Sequence, residues 1–496
     1  MHPGWLNTAS RSGAQTAPRR PVRWLRVAVA ALLGLQSGCS AVGGVSDALF
    51  GTSGPQAGTP GYVKGFLGGV AADEPRAALA GREVLSSGGN AADAALAVGM
   101  TLAVTLPSRA GFGGGGACLA FAAGSKSINQ GTPEAILFLP AAPSAASSRA
   151  DRPAAVPMLA RGLFLLHARY GQAPFEGLVV PAEQLARFGT PTSRALARDL
   201  AAVSGPLLAD PGARAVFSRD GVPLTEGQML QQPDLGSTLA RLRVSGVGDM
   251  YQGVLARTID QQSPVIGGPV TVDDLRNALP KLTAPLVESY GNDKVAFLPP
   301  PADGGLAAAA AFRVLARDPN DMGLANARAL AVAARYRMGG ADADAVLASQ
   351  NLPAAGLPPL PASTAFATLD RNGNAVVCAL TMNNLFGTGR ILPTLGFLAA
   401  ASPAAVPQPL LSAGLAWNDP LKTFRAEVGG SGQAGAALAV AAGMVNTLRS
   451  GRPMPAPVPE PGRATVVACG RYLPGEQSEC GWATDPREFG LAVGAN

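Results

Sequence analysis

The residues from which chemistry could be built are few. The chain has two histidines, His2 and His167, and five cysteines with no CxxC pair. A zinc site or a Ser-His-Asp triad therefore has almost no material. His167 falls in a helical pattern and reads as structural, and Asp93, on an apolar helix, reads as a hydrogen-bonded buried group. Residues 111–116 and 430–435 both fit GxGxxG. The first leads into a strand and the second lacks an acidic residue about 20 positions on, so neither reads as a dinucleotide site. Ser363 stands where a loop meets a strand, and taken alone it reads as an ordinary strand residue.

The elements around these residues follow from period and punctuation. The loop LPAAGLPPLPA (352–362) carries four prolines, which exclude regular structure. After it the apolar period becomes two. TAFATLD and NAVVCALTM, split by the turn Asp370-Arg371-Asn372-Gly373, read as a β-hairpin. Residues 72–106 read as two helices, the first stopped by Gly88-Gly89 and the second capped by Asn90 and apolar throughout, hence buried. GFGGGGACLAFAA (111–123) is a glycine loop entering a strand. Helical patterns recur at 157–170, 180–187, 193–203, 235–261, 306–316 and 327–338. Residues 425–449 read as strand, glycine turn and helix, and TVVAC as the final strand.

Composition bounds the class. At 47% hydrophobic and 15% charged residues, the chain is globular and long enough to bury a large core. The net charge of +6 is concentrated in Arg11, Arg19, Arg20, Arg23 and Arg26. Without them the body is near about +1, which leaves no basic face for nucleic acid. Residues 1–39 read as an export signal: basic RRPVRWLR, apolar VAVAALLGL, then QSGCS. Cys39 resembles a lipidated lipoprotein cysteine, which implies a membrane anchor and an exported, periplasmic protein. Residues 40–60 read as a flexible linker. Cys469 and Cys480 are a possible disulfide in an oxidising compartment, whereas Cys118 and Cys378, in apolar runs, read as buried thiols.

Several segments, in order and over about 61–495, resemble the γ-glutamyltransferase family. They are GREVLSSGGNAADAALAVGMTLAVTLP, GFGGGGACLAF, VPMLARGLFLLHARYGQAPFEGLVVPAEQLARFG, QPDLGSTLARL, GGPVTVDDLRN, LPPPADGG, DRNGNAVVCALTMNNLFGTG, GGSG and ATDPREFGLAVG. The resemblance implies an α+β fold, the four-layer αββα sandwich of N-terminal-nucleophile hydrolases. It divides the body into a large-subunit-like region (61–362) and a small-subunit-like region (363–496).

The implied chemistry is self-cleavage followed by amide hydrolysis or acyl transfer on a small-molecule amide or peptide, as in glutathione metabolism. A hydroxyl attacks the carbonyl before it, and the uncovered α-amine then serves as base. Its ordinary pKa of roughly 7.7–8.0 suits that role, and no histidine, metal or cofactor is called for. Carried over by position, Ser363 is the nucleophile and Ala362–Ser363 the cleaved bond, leaving large and small fragments as partners. Thr381 is the threonine that hydrogen-bonds the nucleophile. Asn383, two residues on and so expected on the same strand face, contacts substrate, as does Ser412. Gly429 and Gly430 supply oxyanion-hole N–H groups. Thr364 is a poorer nucleophile, because a one-residue slip turns its side chain to the other face.

The chain departs from the family pattern in its acyl pocket. Leu139 stands where the family has a carboxylate-binding Arg, Ala365 where it has His and Leu411 in place of one of two serines. Residues 391–416 contain no Asp or Glu for an α-amino group. Losing the Arg costs a charged substrate on the order of 1.5–3 kcal/mol per hydrogen bond. The expected function is thus a γ-glutamyltransferase-like hydrolase with an altered acyl pocket. The alternative is a lipoprotein that keeps the fold as a binding or scaffolding module.

Overall fold

The computed structural model describes residues 65–144 and 150–495. The export segment with Cys39 and the 40–60 linker lie outside the described residues. Two antiparallel sheets dominate. The first holds β1 (Gly68–Ala72), β2 (Gly115–Phe121), β3 (Glu134–Phe138), β4 (Lys281–Thr283), β7 (Ser363–Asp370), β8 (Ala375–Thr381) and β13 (Leu491–Ala495). The second holds β5 (Leu286–Tyr290), β6 (Asp293–Phe297), β9 (Ser412–Asn418), β10 (Thr423–Ser431), β11 (Arg463–Leu473) and β12 (Cys480–Thr484). Their orders are β13-β1-β7-β8-β2-β3-β4 and β12-β11-β10-β9-β6-β5. The hairpin expected at 363–381 is β7–β8, at the centre of the first sheet.

Because the central strands β7, β8 and β9 are buried on both faces, alternation sorts their side chains between layers. Ala367, Val377 and Ala379 point inward and pack on Leu415, Trp417 and Val467 of the second sheet. Phe366, Val376 and Leu380 point outward against Val98 and Leu102 of a helical layer. That layer includes α1 (Pro75–Ser86) and α2 (Ala91–Thr105). On the far side, Val428 and Val466 pack on Leu306, Phe312 and Val440 of α3 (Asp303–Leu315) and α4 (Ala436–Ser450). The result is the αββα sandwich that the resemblance implied.

Asn90 caps α2 through a reciprocal box with Asp93. The strand β1 was not anticipated, and TVVAC lies within β11, which two further strands follow. Cys118 and Cys378, expected as buried thiols, are bonded to one another. The reason is register: β2 and β8 are neighbours and set the two residues directly opposite. Cys469 and Cys480, opposite on β11 and β12, are also bonded. Among the described residues no helix is long and apolar enough to cross a membrane.

Candidate active site

Ser363 is the first residue of β7 and is 2% exposed. It pairs with Thr381, the last residue of β8. The Thr381 hydroxyl donates to the carbonyl oxygen of Ala362 at 3.1 Å and accepts the N–H of Asn383 at 2.9 Å. Its donor therefore rests on the oxygen of the peptide bond that self-cleavage would break. Thr381 is held at the end of buried β8, whereas Ala362 is the last residue of the Pro-rich loop, directly before β7.

Asp73 approaches from the other edge of β7. It is 1% exposed and accepts the Thr364 hydroxyl at 2.9 Å and the Ala365 N–H at 3.0 Å. Burial raises its pKa, against the lowering effect of these bonds, of Arg109 and of the Ser431 hydroxyl. Arg109 grips Asp199 with two contacts of 2.8 Å and reaches Glu488 at 3.4 Å. Glu488 also faces Arg463 at 3.4 Å. Burial, and then the charge of Asp73, raise the Glu488 pKa. Burial opposes the charge on Arg109, but Asp199 and Glu488 keep that guanidinium ionised. A cleft of about 190 Å³ opens here, lined by Ser363, Arg109, Glu488, Ser431, Arg463 and Leu385 among others.

The other expected site residues divide. Gly429 and Gly430 lie inside β10, in register with β9 on one side and β11 on the other. A Cβ on Gly429 would stand 2.8 Å from the Ala365 Cβ, so glycine lets β10 cross close over β7. The ladder on both sides competes for their N–H groups. Asn383 is past the end of β8 with φ of 54°, and its amide donates to the Ala401 carbonyl at 3.1 Å. The same-face expectation fails because the period of two stops with the strand. Ser412 is fully buried and donates to the Leu410 carbonyl at 3.1 Å. Alternation along β9 sends Leu411, Ala413 and Leu415 inward and Ser412 to the opposite face. Among the described residues no group of three or more His, Cys, Asp or Glu could hold a metal.

Asp73, Arg109, Asp199, Glu488 and Arg463 were missed from sequence. The available signal was charge in apolar company: Asp73 follows GGVAA, and Arg109 sits between VTLPS and AGFGG. Buried charges are uncommon unless paired, so a charge in such company implies a partner.

A family model described as gamma-glutamyltranspeptidase matches residues 77–334. The chain belongs to this family. It is 28% identical over 389 residues to the glutathione hydrolase proenzyme of Escherichia coli (strain K12), covering 68% of this chain and 66% of that protein. It is 32% identical over 253 residues to glutathione hydrolase 3 of Arabidopsis thaliana, covering 49% of this chain and 39% of the relative. It thus spans less than two thirds of the length of these relatives. In fold it is similar to the cephalosporin acylase from Bacillus halodurans, with a TM-score of 0.71 at 19% identity, over 89% of this chain and 98% of that one.

Proposed function

We propose that this protein is an exported, self-cleaving amide hydrolase or acyltransferase of the γ-glutamyltransferase type, with Ser363 as nucleophile and an altered acyl pocket. The observation that carries the reading is the Thr381 hydroxyl on the Ala362 carbonyl, beside Ser363 at the head of β7. Ser363 Oγ attacks the Ala362 carbonyl carbon, and Thr381 steadies the oxygen as charge builds there. The C–N bond breaks, and the nitrogen leaves as an amine, taking the hydroxyl proton. Water then cleaves the ester, returning the Ser363 hydroxyl and a carboxylate on Ala362. In turnover the free α-amine takes the Ser363 proton as the hydroxyl attacks an amide and gives it to the departing amine, leaving an ester on Ser363; water or an acceptor amine then attacks that ester, takes the acyl group and loses a proton, which restores the Ser363 hydroxyl.

The altered pocket rests on Leu139, which packs against the inter-sheet core at the position of the family arginine, and on Arg109 and Arg463, whose charges already face carboxylates. Two bonded cysteine pairs support an oxidising compartment and so an export role for residues 1–39. Lipidation of Cys39 is part of the same proposal.

The second reading is a binding module without turnover. It is favoured by Asn383 and Ser412, whose polar groups are spent on Ala401 and Leu410, and by the two-sided ladder around Gly429 and Gly430. A reduced denaturing gel with intact-mass measurement separates the two. Self-cleavage gives a fragment starting at Ser363, absent in Ser363→Ala. A wild-type chain that stays whole, with no difference in Ser363→Ala, overturns the enzymatic reading.

A further inference from the structure

We infer that Asp73 is a positioning residue for the backbone nitrogen of Ser363, the atom that leaves in self-cleavage and acts as base afterwards. This rests on the function proposed above and adds to it what holds that nitrogen in place.

β1 pairs with β7 from Gly68 opposite Asp370 to Ala72 opposite Phe366. Continued by one step, the ladder would place residue 73 opposite Ala365. The backbone does not continue: Glu74 caps α1 and Pro75 begins it. The acceptor that β1 would have offered is replaced by the Asp73 carboxylate, which takes the Ala365 N–H and the Thr364 hydroxyl on one oxygen.

In an antiparallel strand the N–H groups of alternate residues point to the same edge. The Ala365 N–H points toward β1, as its bond to Asp73 shows. The Ala362 carbonyl points toward β8, as its bond from Thr381 shows. Ser363 is two residues from Ala365, so its nitrogen faces the β1 edge, in the gap left where the chain turns into α1. The cleft on Ser363 holds Arg109 and Glu488 as well.

Cleavage makes the clamp more important. In the intact chain Ser363 is held through Ala362 on one side and through residues 364–365 on the other. Once the Ala362–Ser363 bond is cut, the Thr381 contact to Ala362 no longer restrains Ser363. The new terminus is then held through the two residues that follow it, by their pairing with β8 and by their bonds to Asp73 on the β1 edge. A terminal residue held at one edge only frays, and a base that swings loses its line to the hydroxyl it must deprotonate.

The test is the rate at which the Ser363-initiated fragment appears in freshly refolded protein, followed on reduced gels and by mass. Asp73→Ala is expected to slow it by about a hundredfold, the scale of a misplaced reacting group. Asp73→Asn keeps an oxygen for the same two donors and is expected within about fivefold of wild type. Thr364→Val removes one of the two bonds and is expected to slow cleavage by about tenfold. Thr368→Val removes a buried hydroxyl bond to Ala91 on the same strand; it is expected to lower the melting midpoint and leave the rate unchanged. If Asp73→Ala does not fold, Thr364→Val and Asp73→Asn carry the test. Wild-type rates in both Asp73→Ala and Thr364→Val overturn the inference alone, as does Asp73→Asn as slow as Asp73→Ala. A wild-type chain that never cleaves overturns the underlying function, and this inference with it.

Discussion

Cys118 and Cys378 are bonded to each other across β2 and β8, on opposite sides of the Ala362–Ser363 peptide in the chain. The two halves that cleavage would create are therefore stapled, while Cys469–Cys480 lies wholly in the second half. The halves are also interleaved, since β7 and β8 stand between β1 and β2 in one sheet. The expected outcome is one band for cleaved protein on a denaturing gel without reductant and two bands with it. Cys378→Ser should give two bands under both conditions. Two unreduced wild-type bands would show that the staple is absent.

Thr381→Val removes the donor to the Ala362 carbonyl while keeping shape. Loss of one such donor costs about 100- to 1000-fold in rate. Appearance of the Ser363-initiated fragment should slow on that scale, and Thr381→Ser should recover most of it. The valine variant also loses the acceptor for the Asn383 N–H. A melting curve on the same sample separates that structural loss from the rate. Valine cleaving at the wild-type rate would remove Thr381 from the mechanism.

Local pattern carried much of this fold and less of the site. The β7–β8 hairpin, the α1–α2 pair and the Asn90 cap were legible because period and punctuation agree over short windows. β1 was not: GGVAA is five small residues buried on both faces, so it shows no alternation. Asp73 escaped because its partners are more than 290 residues away in the chain. Ser412 and Asn383 show a different limit. Position by motif does not fix the direction of a side chain, which depends on the pleat of β9 and on where β8 stops.

His167 and Asp93 form a pH-dependent tie between helical segments, with Nε2 3.3 Å from the carboxylate and 2.8 Å from the Ala173 carbonyl. Asp93 also accepts the N–H groups of Asn90, Gln172 and Ala173. The bond to Asp93 raises the His167 pKa above 6.5, against burial. A raised histidine contributes stability that is fully present below the unfolded value and is lost as pH rises through the folded one. His167→Gln should therefore cost on the order of 1–3 kcal/mol near pH 6, and less by about pH 9. Melting midpoints of both proteins across that range test this, and a gap that widens with pH would contradict it.

Glu427 is the opposite case, a carboxyl with no hydrogen-bond partner among the described residues. It is fully buried. Its cross-strand neighbours are Leu415 and Val467, both in the inter-sheet core. Burial pushes its pKa well above the usual 4.5. Folding thus favours the protonated form. That contribution is fully present below the unfolded value, and it is lost as pH climbs toward the folded one. Glu427→Gln keeps the shape without the titration. Wild type should lose stability relative to Glu427→Gln by up to about 1.4 kcal/mol per pH unit above 4.5, until the folded value is reached. Glu427→Leu removes the unpaired polar group and should be the more stable protein at pH 8 by roughly 1–3 kcal/mol. Parallel wild-type and glutamine curves from pH 5 to 8 would mean that the carboxyl titrates normally, and so that the inter-sheet core around it is not dry.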